Sequence, residues 1–166
     1  MKTLYVLRHG HAVPESEASS DHARELSPRG RAEVRRSAQQ LSRRSSLPSV
    51  VLTSNAARAL ATAELCLTTW SPRPEPPQLR VTERLYLAGP SSYVEELSEA
   101  ADPHQVAMVV GHNPGLEALV YVLTEHSEHL ATASVVEIEL PIVAWSDLSG
   151  AGRHAGRVVS SFHASR

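Results

Sequence analysis

Three short stretches of the sequence carry side chains that could do phosphoryl chemistry. The pair Arg8-His9 follows a short apolar run, Ser54 and Arg58 follow a second one, and His112 follows a third. Arginine offers a planar fork of donors that matches phosphate oxygens. A neutral imidazole nitrogen can attack phosphorus and divide one difficult displacement into two easier steps. Gathered in one place, these side chains could transfer a phosphoryl group without a metal, since the arginines supply the positive charge.

The elements that must gather these side chains are strands that end beside them. Runs of strand-forming apolar residues predict strands over 3–7, 49–53 and 106–110, the last of them apolar throughout, as in a strand buried on both faces. Apolar periodicity and turn residues predict the other elements: helices over 28–45, 54–69 and 90–101 and from 114 onward, and strands over 79–82, 134–140 and 157–162.

Strands that alternate with helices predict an α/β fold, a three-layer α/β/α sandwich with a mainly parallel central sheet. In such a sheet, ligands bind outside the carboxyl ends of the strands. Helices also begin there, and their free N–H groups and positive dipole ends favour an anion. We therefore expect a phosphate site at this edge of the sheet.

Local sequence patterns predict where two helices begin and which turn leads into the last strand. Ser27-Pro28 is typical of an N-cap followed by proline at the first helical position. Either Ser54 or Asn55 is expected to cap the second helix. The connection into the last strand is expected to be a Gly/Ser-rich turn over 149–152.

The composition limits the kinds of protein that this chain can be. It has 166 residues, 42% hydrophobic and 20% charged, as expected for a single globular domain over 1–166. Cys66 is the one cysteine, which excludes an internal disulfide and a multi-cysteine zinc site. No apolar run reaches the ~20 residues of a membrane span, and the first run is too short for a signal peptide. We expect a soluble, cytoplasmic protein with no membrane partner.

The charge is unevenly distributed along the chain. Residues 1–60 hold ten basic and five acidic side chains, whereas the remainder holds six basic and thirteen acidic ones. A basic half could bind nucleic acid or a smaller anion. Aromatic residues make up only 4%, too few for a stacking platform, so we expect no nucleic-acid partner. A solvated helix face is the favoured interpretation of six arginines: Arg29, Arg31, Arg35, Arg36, Arg43 and Arg44.

Four segments together resemble the motifs of one protein family. Residues 8–10, Arg-His-Gly after a strand, resemble the R-H-G signature of the histidine phosphatase superfamily, also called the phosphoglycerate mutase-like fold. Residues 21–30 resemble the D-x-x-R-x-L-[ST]-x-x-G stretch of its SixA-like branch, residues 53–59 its S-x-x-x-R-A segment, and residues 110–113 the segment with its second histidine. Three residues alone are a weak signal, but four segments in the right order are a specific one.

The resemblance assigns roles residue by residue. His9 would be the nucleophile that becomes phosphohistidine, and Arg8, Arg58 and His112 would form the phosphate pocket. Larger members of the family use a glutamate after the third strand as general acid, and Glu83 stands at a similar place in this chain.

Two acidic residues also have structural interpretations. Glu83 could instead form an ion pair with Arg80 or Arg84. Asp21 and Arg24 are expected to hold the long loop before the first helix.

Gly10, His11 and Ser54 complete the predicted substrate-binding residues. His11 stands where the family often has an acidic residue or a lysine, and it could touch the leaving group.

The sequence therefore predicts a phosphatase that works through a phosphohistidine and needs no metal or cofactor. The resemblance implies a SixA-like enzyme acting on a protein that carries phosphohistidine. Two alternatives stay open: a phosphatase of a small phosphoester, such as a sugar or nucleotide phosphate, and a binding module without turnover. The pair His9 and His112 favours catalysis, because binding alone needs only the arginines.

Overall fold

The computed structural model describes residues 1–149 and 156–164, and these contain ten main elements. The strands are β1 (Lys2–Arg8), β2 (Val50–Ser54), β3 (Gln78–Thr82), β4 (Val106–Gly111), β5 (Val135–Leu140) and β6 (Arg157–Phe162). The helices are α1 (Pro28–Ser42), α2 (Ala57–Thr69), α3 (Pro90–Ala100) and α4 (Gly115–Thr124). Short 3-10 helices cover Glu15–Glu17, Glu83–Leu85 and Trp145–Ser149. Every predicted helix and strand is present, with bounds close to the predicted ones.

One mixed sheet carries all six strands in the order β3-β2-β4-β1-β5-β6. The first four run parallel, whereas β5 is antiparallel to β1 and β6 is antiparallel to β5. The predicted α/β fold with a mainly parallel sheet is confirmed. This order places the carboxyl ends of β2, β4 and β1 side by side. Arg8 pairs with Gly111, so the residues that follow β1 and β4 start from neighbouring positions.

Alternate residues of β1 belong to two different core layers. Leu4 and Val6 cluster with apolar residues of α3 and α4, whereas Tyr5 and Leu7 cluster with those of α1 and α2. All four side chains are buried. Helices therefore cover both faces of the sheet, and a strand covered on both faces has an uninterrupted apolar sequence.

One predicted helix start is confirmed and another is wrong. The Ser27 hydroxyl accepts a hydrogen bond from the Gly30 N–H, and proline follows at the first helical position. The second helix is capped by neither Ser54 nor Asn55; its N-cap is Ala56, without a side-chain cap. The two polar side chains face other partners, because Ser54 contacts His112 and Asn55 contacts His22.

Three other expectations are tested only in part, or not at all, because the structure describes residues 1–149 and 156–164. The Gly/Ser-rich turn lies mostly outside them, since only Ser149 is described, at the end of a 3-10 helix. Within 1–149 and 156–164, no helix is long and apolar enough to cross a membrane. That the whole of 1–166 forms one domain stays a prediction.

Candidate active site

A cleft of about 450 Å³ opens at the carboxyl edge of the parallel strands. It is lined by the predicted nucleophile, His9, and by the three residues predicted to form the phosphate pocket, Arg8, Arg58 and His112. The cleft confirms that the strand order brings these distant segments together. Its volume is in the range of small-ligand sites.

The hydrogen bonds of His9 present one particular ring nitrogen to Arg58. The His9 Nδ1 atom lies 2.7 Å from the Gly10 carbonyl oxygen, so Nδ1 must carry the hydrogen and donate it. The Arg58 Nε–H donates to His9 Nε2 at 3.3 Å. The lone pair of a neutral His9 is therefore on Nε2, beside the arginine. A nitrogen in this state is a nucleophile for phosphorus.

Burial keeps the rings of His9 and His112 neutral. Burial is the largest cause of the lowered pKa of His9, which falls to about 3, with further lowering from the nearby His112 and arginines. Burial likewise lowers the pKa of His112 to about 4, helped by the positive charge of Arg58. Both rings are thus uncharged near pH 7 in the free protein.

The neutral state of His9 and His112 can be observed by NMR. We expect both rings to stay neutral as the pH is lowered from 7 to about 5. Because the unfolded chain binds these two protons and the folded chain does not, the free energy of unfolding should fall as the pH drops below about 6.5. Long-range ¹H–¹⁵N correlations of the ring nitrogens across a pH titration make the measurement. A His9 ring that gains its second proton near the usual imidazole pKa of about 6.5 would contradict the assignment.

His112 faces His9 across the cleft. Their ring centroids lie 5.2 Å apart. The His112 Nε2 atom lies 2.9 Å from the Ser54 hydroxyl, and Nδ1 is buried without a hydrogen-bond partner among the described residues. When Ser54 donates to Nε2, Nδ1 carries the hydrogen and can donate it to an oxyanion. Ser54 therefore sits beside the pocket and holds one of its rings.

Asp21 orients Arg58, a contact that sequence reasoning missed. The Arg58 guanidinium is buried and donates to the Asp21 backbone carbonyl at 2.7 Å and to its carboxylate at 3.1 Å. The same carboxylate accepts hydrogen bonds from Tyr86 Oη at 2.5 Å and from Arg24 at 3.0 Å. The Tyr86 bond is the main cause that lowers the pKa of Asp21 well below its usual range, and the two arginines add to it.

The sequence offered one signal for Asp21, namely its position three residues before Arg24. That spacing predicted only a contact within the loop and not the contact with Arg58. Arg24 does hold the loop, since its Nε donates to the Val13 carbonyl at 2.8 Å. The link from Asp21 to Arg58 joins residues 37 positions apart, and no local pattern shows it.

Arg8 is fixed from the other side of the cleft. Its guanidinium donates to the Leu130 carbonyl at 2.8 Å, and the Asn113 amide donates to the same oxygen at 2.8 Å. Glu117 accepts from the Asn113 amide and from the Leu130 N–H, which fixes this carbonyl in place. The Arg8 Nε and Asn113 Oδ1 atoms are buried with no hydrogen-bond partner in the described ranges. Arg8 therefore lines the cleft with one of its donors unpaired within the described residues.

Of the two residues that follow His9, His11 lines the cleft and Gly10 does not. A Cβ atom on Gly10 would stand 2.7 Å from the Gly30 carbonyl oxygen, so the residue permits a close approach of the β1 end to α1. Its N–H donates to the Thr62 hydroxyl at 3.1 Å and is thus already bonded within the protein. His11 lines the cleft, with Nδ1 2.7 Å from the Ser27 hydroxyl.

The structure does not bring Glu83 to the other predicted site residues. Glu83 is exposed at the start of a 3-10 helix and is absent from the cleft lining. Nor does Arg84 pair with it. Arg84 instead forms ion pairs with three glutamates of α3: Glu95, Glu96 and Glu99. The carboxylate that does line the cleft is Asp21.

Fold and cleft together define a class of protein. A neutral histidine with its lone pair beside an arginine, at the carboxyl edge of an α/β sheet, has the arrangement that phosphoryl transfer through histidine requires. The family model of the histidine phosphatase superfamily (branch 1) matches residues 4–86. The chain belongs to this superfamily, as its motifs indicate, and it is a phosphatase.

Known proteins resemble the chain in sequence and in fold. An uncharacterized protein of Mycobacterium leprae, ML1117, is 32% identical over 136 residues, which cover 81% of this chain and 79% of that protein. The structure of the protein histidine phosphatase SixA complexed with tungstate has a TM-score of 0.81 at 20% identity, covering 98% of this chain and 97% of the other. Mycobacterial glucosyl-3-phosphoglycerate phosphatase has a TM-score of 0.68 at 16% identity, with coverage of 95% and 97%. At these identities the two solved structures show a shared fold.

Proposed function

We propose that this chain removes the phosphoryl group from phosphohistidine carried by another protein, through a phosphohistidine intermediate on His9. The observation that carries the proposal is the state of His9, a buried neutral ring whose Nε2 lone pair stands 3.3 Å from the Arg58 Nε. Neither metal nor cofactor is needed, because the arginines supply the fixed positive charge.

The proposed reaction has two displacements. In the first, His9 Nε2 forms a bond to phosphorus as the bond to the leaving group breaks, and the leaving group takes the electron pair and a proton from solvent. Arg8, Arg58 and His112 bind the phosphoryl oxygens, and the Gly10 carbonyl stabilises the charge that develops on the ring through Nδ1–H. In the second, water attacks phosphorus, the electron pair returns to Nε2, and the water loses a proton.

The acid–base groups of the cleft favour a leaving group that departs without being protonated by a general acid. Tyr86 and two arginines keep Asp21 ionised, which makes it a poor proton donor. Glu83, the predicted general acid, is exposed and is absent from the cleft lining. An alkoxide from a sugar phosphate needs a proton as it leaves, whereas the imidazole of phosphohistidine leaves more readily. The role of Glu83 stays a prediction, and a loss of activity in Glu83→Gln would support it.

A small phosphoester is the second candidate substrate. The cleft of about 450 Å³ is large enough to hold a sugar or nucleotide phosphate. The mycobacterial glucosyl-3-phosphoglycerate phosphatase described above shares the fold, so the architecture alone does not decide between the substrates.

A comparison of substrates tests the proposal. The purified chain is assayed with a histidine-phosphorylated carrier protein and with a panel of sugar and nucleotide phosphates, each with and without a chelator. We expect kcat/KM to be highest for the phosphoprotein by at least about a hundredfold, with no loss in the chelator. A higher value for one small phosphoester would favour the second candidate. A requirement for added metal would overturn the metal-independent scheme.

Asp21→Ala tests whether the Arg58 guanidinium must be held in place. The variant removes the carboxylate that accepts from Arg58 and Tyr86, so we expect kcat/KM to fall about 10- to 100-fold. Asp147→Ala is the matched control, because Asp147 accepts backbone hydrogen bonds after β5, away from the cleft. Equal activity in both variants would show that Arg58 needs no carboxylate partner.

A further inference from the structure

Leu87 is an outlier in backbone conformation and in exposure. Its φ of 49° lies in the left-handed region, which is uncommon for residues other than glycine. Its side chain is 58% exposed, one of the few large apolar side chains in solvent. Both features disfavour leucine at this position, and neither is compensated by burial in the core. Strained residues of this kind concentrate at ligand clamps and active sites.

The turn that holds Leu87 is fixed on both sides. Before it, Leu85 is fully buried, and Tyr86 donates to Asp21 while its ring packs edge-on against His112 with centroids 5.6 Å apart. After it, the Ala88 carbonyl lies so close to the start of α4 that a Cβ atom on Gly115 would be 1.9 Å from its oxygen. The backbone of residue 87 therefore has little freedom to relax its conformation.

This constrained turn places an apolar side chain at a polar site. Leu87 lines the same cleft as His9 and Arg58. The cleft is otherwise lined mostly by polar and charged residues. The arginines and His112 are the proposed partners of the phosphoryl oxygens. An apolar side chain cannot donate a hydrogen bond to those oxygens, but it can pack against the leaving group of a substrate.

We infer that Leu87 is a specificity-determining residue that packs against the ring of the leaving group. The inference rests on the proposed function, in which that group is the imidazole of a phosphohistidine. A planar ring has an apolar face that an exposed leucine can cover, which removes apolar surface of both from water. A leaving group without such a face gains nothing from this contact. Leu87 thus selects substrates by the ring attached to phosphorus, while the arginines bind the phosphoryl group common to all of them.

Binding of two phosphonates to the intact chain tests the inference without turnover. Phenylphosphonate carries a ring and methylphosphonate does not, and neither is hydrolysed. In the unaltered protein we expect phenylphosphonate to bind more tightly. Leu87→Asn keeps a residue that tolerates positive φ but removes the apolar side chain. We expect this variant to bind phenylphosphonate about tenfold more weakly and methylphosphonate unchanged, as measured by calorimetry.

Val143→Asn is the matched control, since Val143 is 86% exposed and follows β5 at the opposite edge of the sheet. This control should change neither affinity. The melting temperature of Leu87→Asn should not fall, because the substitution relieves the backbone and removes an exposed apolar group. Equal weakening of both phosphonates, or a lower melting temperature, would show that Leu87 only supports the pocket. No change in either affinity would also overturn the inference. Since no step of phosphohistidine cleavage is measured, a failure of the proposed function would show separately, in the substrate assay.

Discussion

His9→Ala should lower kcat/KM for any phosphorylated substrate by about 10⁴-fold or more. The variant removes the Nε2 lone pair beside Arg58, and loss of a nucleophile removes the covalent route altogether. The remaining arginines still bind the phosphoryl group, so the affinity for inorganic phosphate should change far less than the rate. Stopped assays with an aryl phosphate measure the rate, and calorimetry with inorganic phosphate measures the affinity.

A second measurement identifies the intermediate on His9. Rapid quenching of the unaltered protein with labelled substrate should trap a phosphoenzyme that is stable in alkali and labile in acid, and His9→Ala should trap none. His126→Ala is the control, because His126 is exposed and lies outside the cleft lining. Retention of the labelled species in His9→Ala, or activity within about tenfold of the unaltered protein, would remove His9 as the nucleophile.

Arg58→Lys should lower kcat about 10²- to 10³-fold even though it keeps the positive charge. The arginine uses Nε toward His9 and its two terminal nitrogens toward Asp21, an arrangement that needs the planar fork. A lysine ammonium carries all its donors on one nitrogen and cannot reach all three partners. Because Arg58 faces the nucleophile, we expect the loss mainly in kcat, where transition-state charge is stabilised.

Steady-state kinetics with an aryl phosphate measure the effect of Arg58→Lys. The matched control is Arg80→Lys, since Arg80 is exposed in the middle of β3 and is not among the cleft residues. A fall in kcat of less than about fivefold in Arg58→Lys would mean that charge alone suffices and that the hydrogen-bond geometry around His9 is not required.

The helices, the strands and most of the pocket residues could be predicted from the amino-acid sequence. The apolar run of β4 predicts a strand covered on both faces, because burial on two sides removes the polar alternation, and the shorter run of β1 predicts a strand. Ser27-Pro28 predicts the start of α1, because both residues act on the backbone within a few positions. His9, Arg58 and His112 could be named because each comes soon after a predicted strand, and parallel strands bring such residues to one edge.

The contacts that hold the pocket side chains in place could not be predicted in this way, because they form only in the folded protein. Asp21 reaches Arg58, and Leu130 reaches Arg8 across 122 positions, and such contacts depend on the packing of loops that carry no periodic signal. Packing also left Glu83 exposed outside the cleft lining and gave Arg84 three partners on α3. The left-handed conformation of Leu87 is likewise unreadable from sequence, since its neighbours on both sides impose it. Local propensity acts over a few residues, whereas the contacts that orient this site join segments that only the folded sheet brings together.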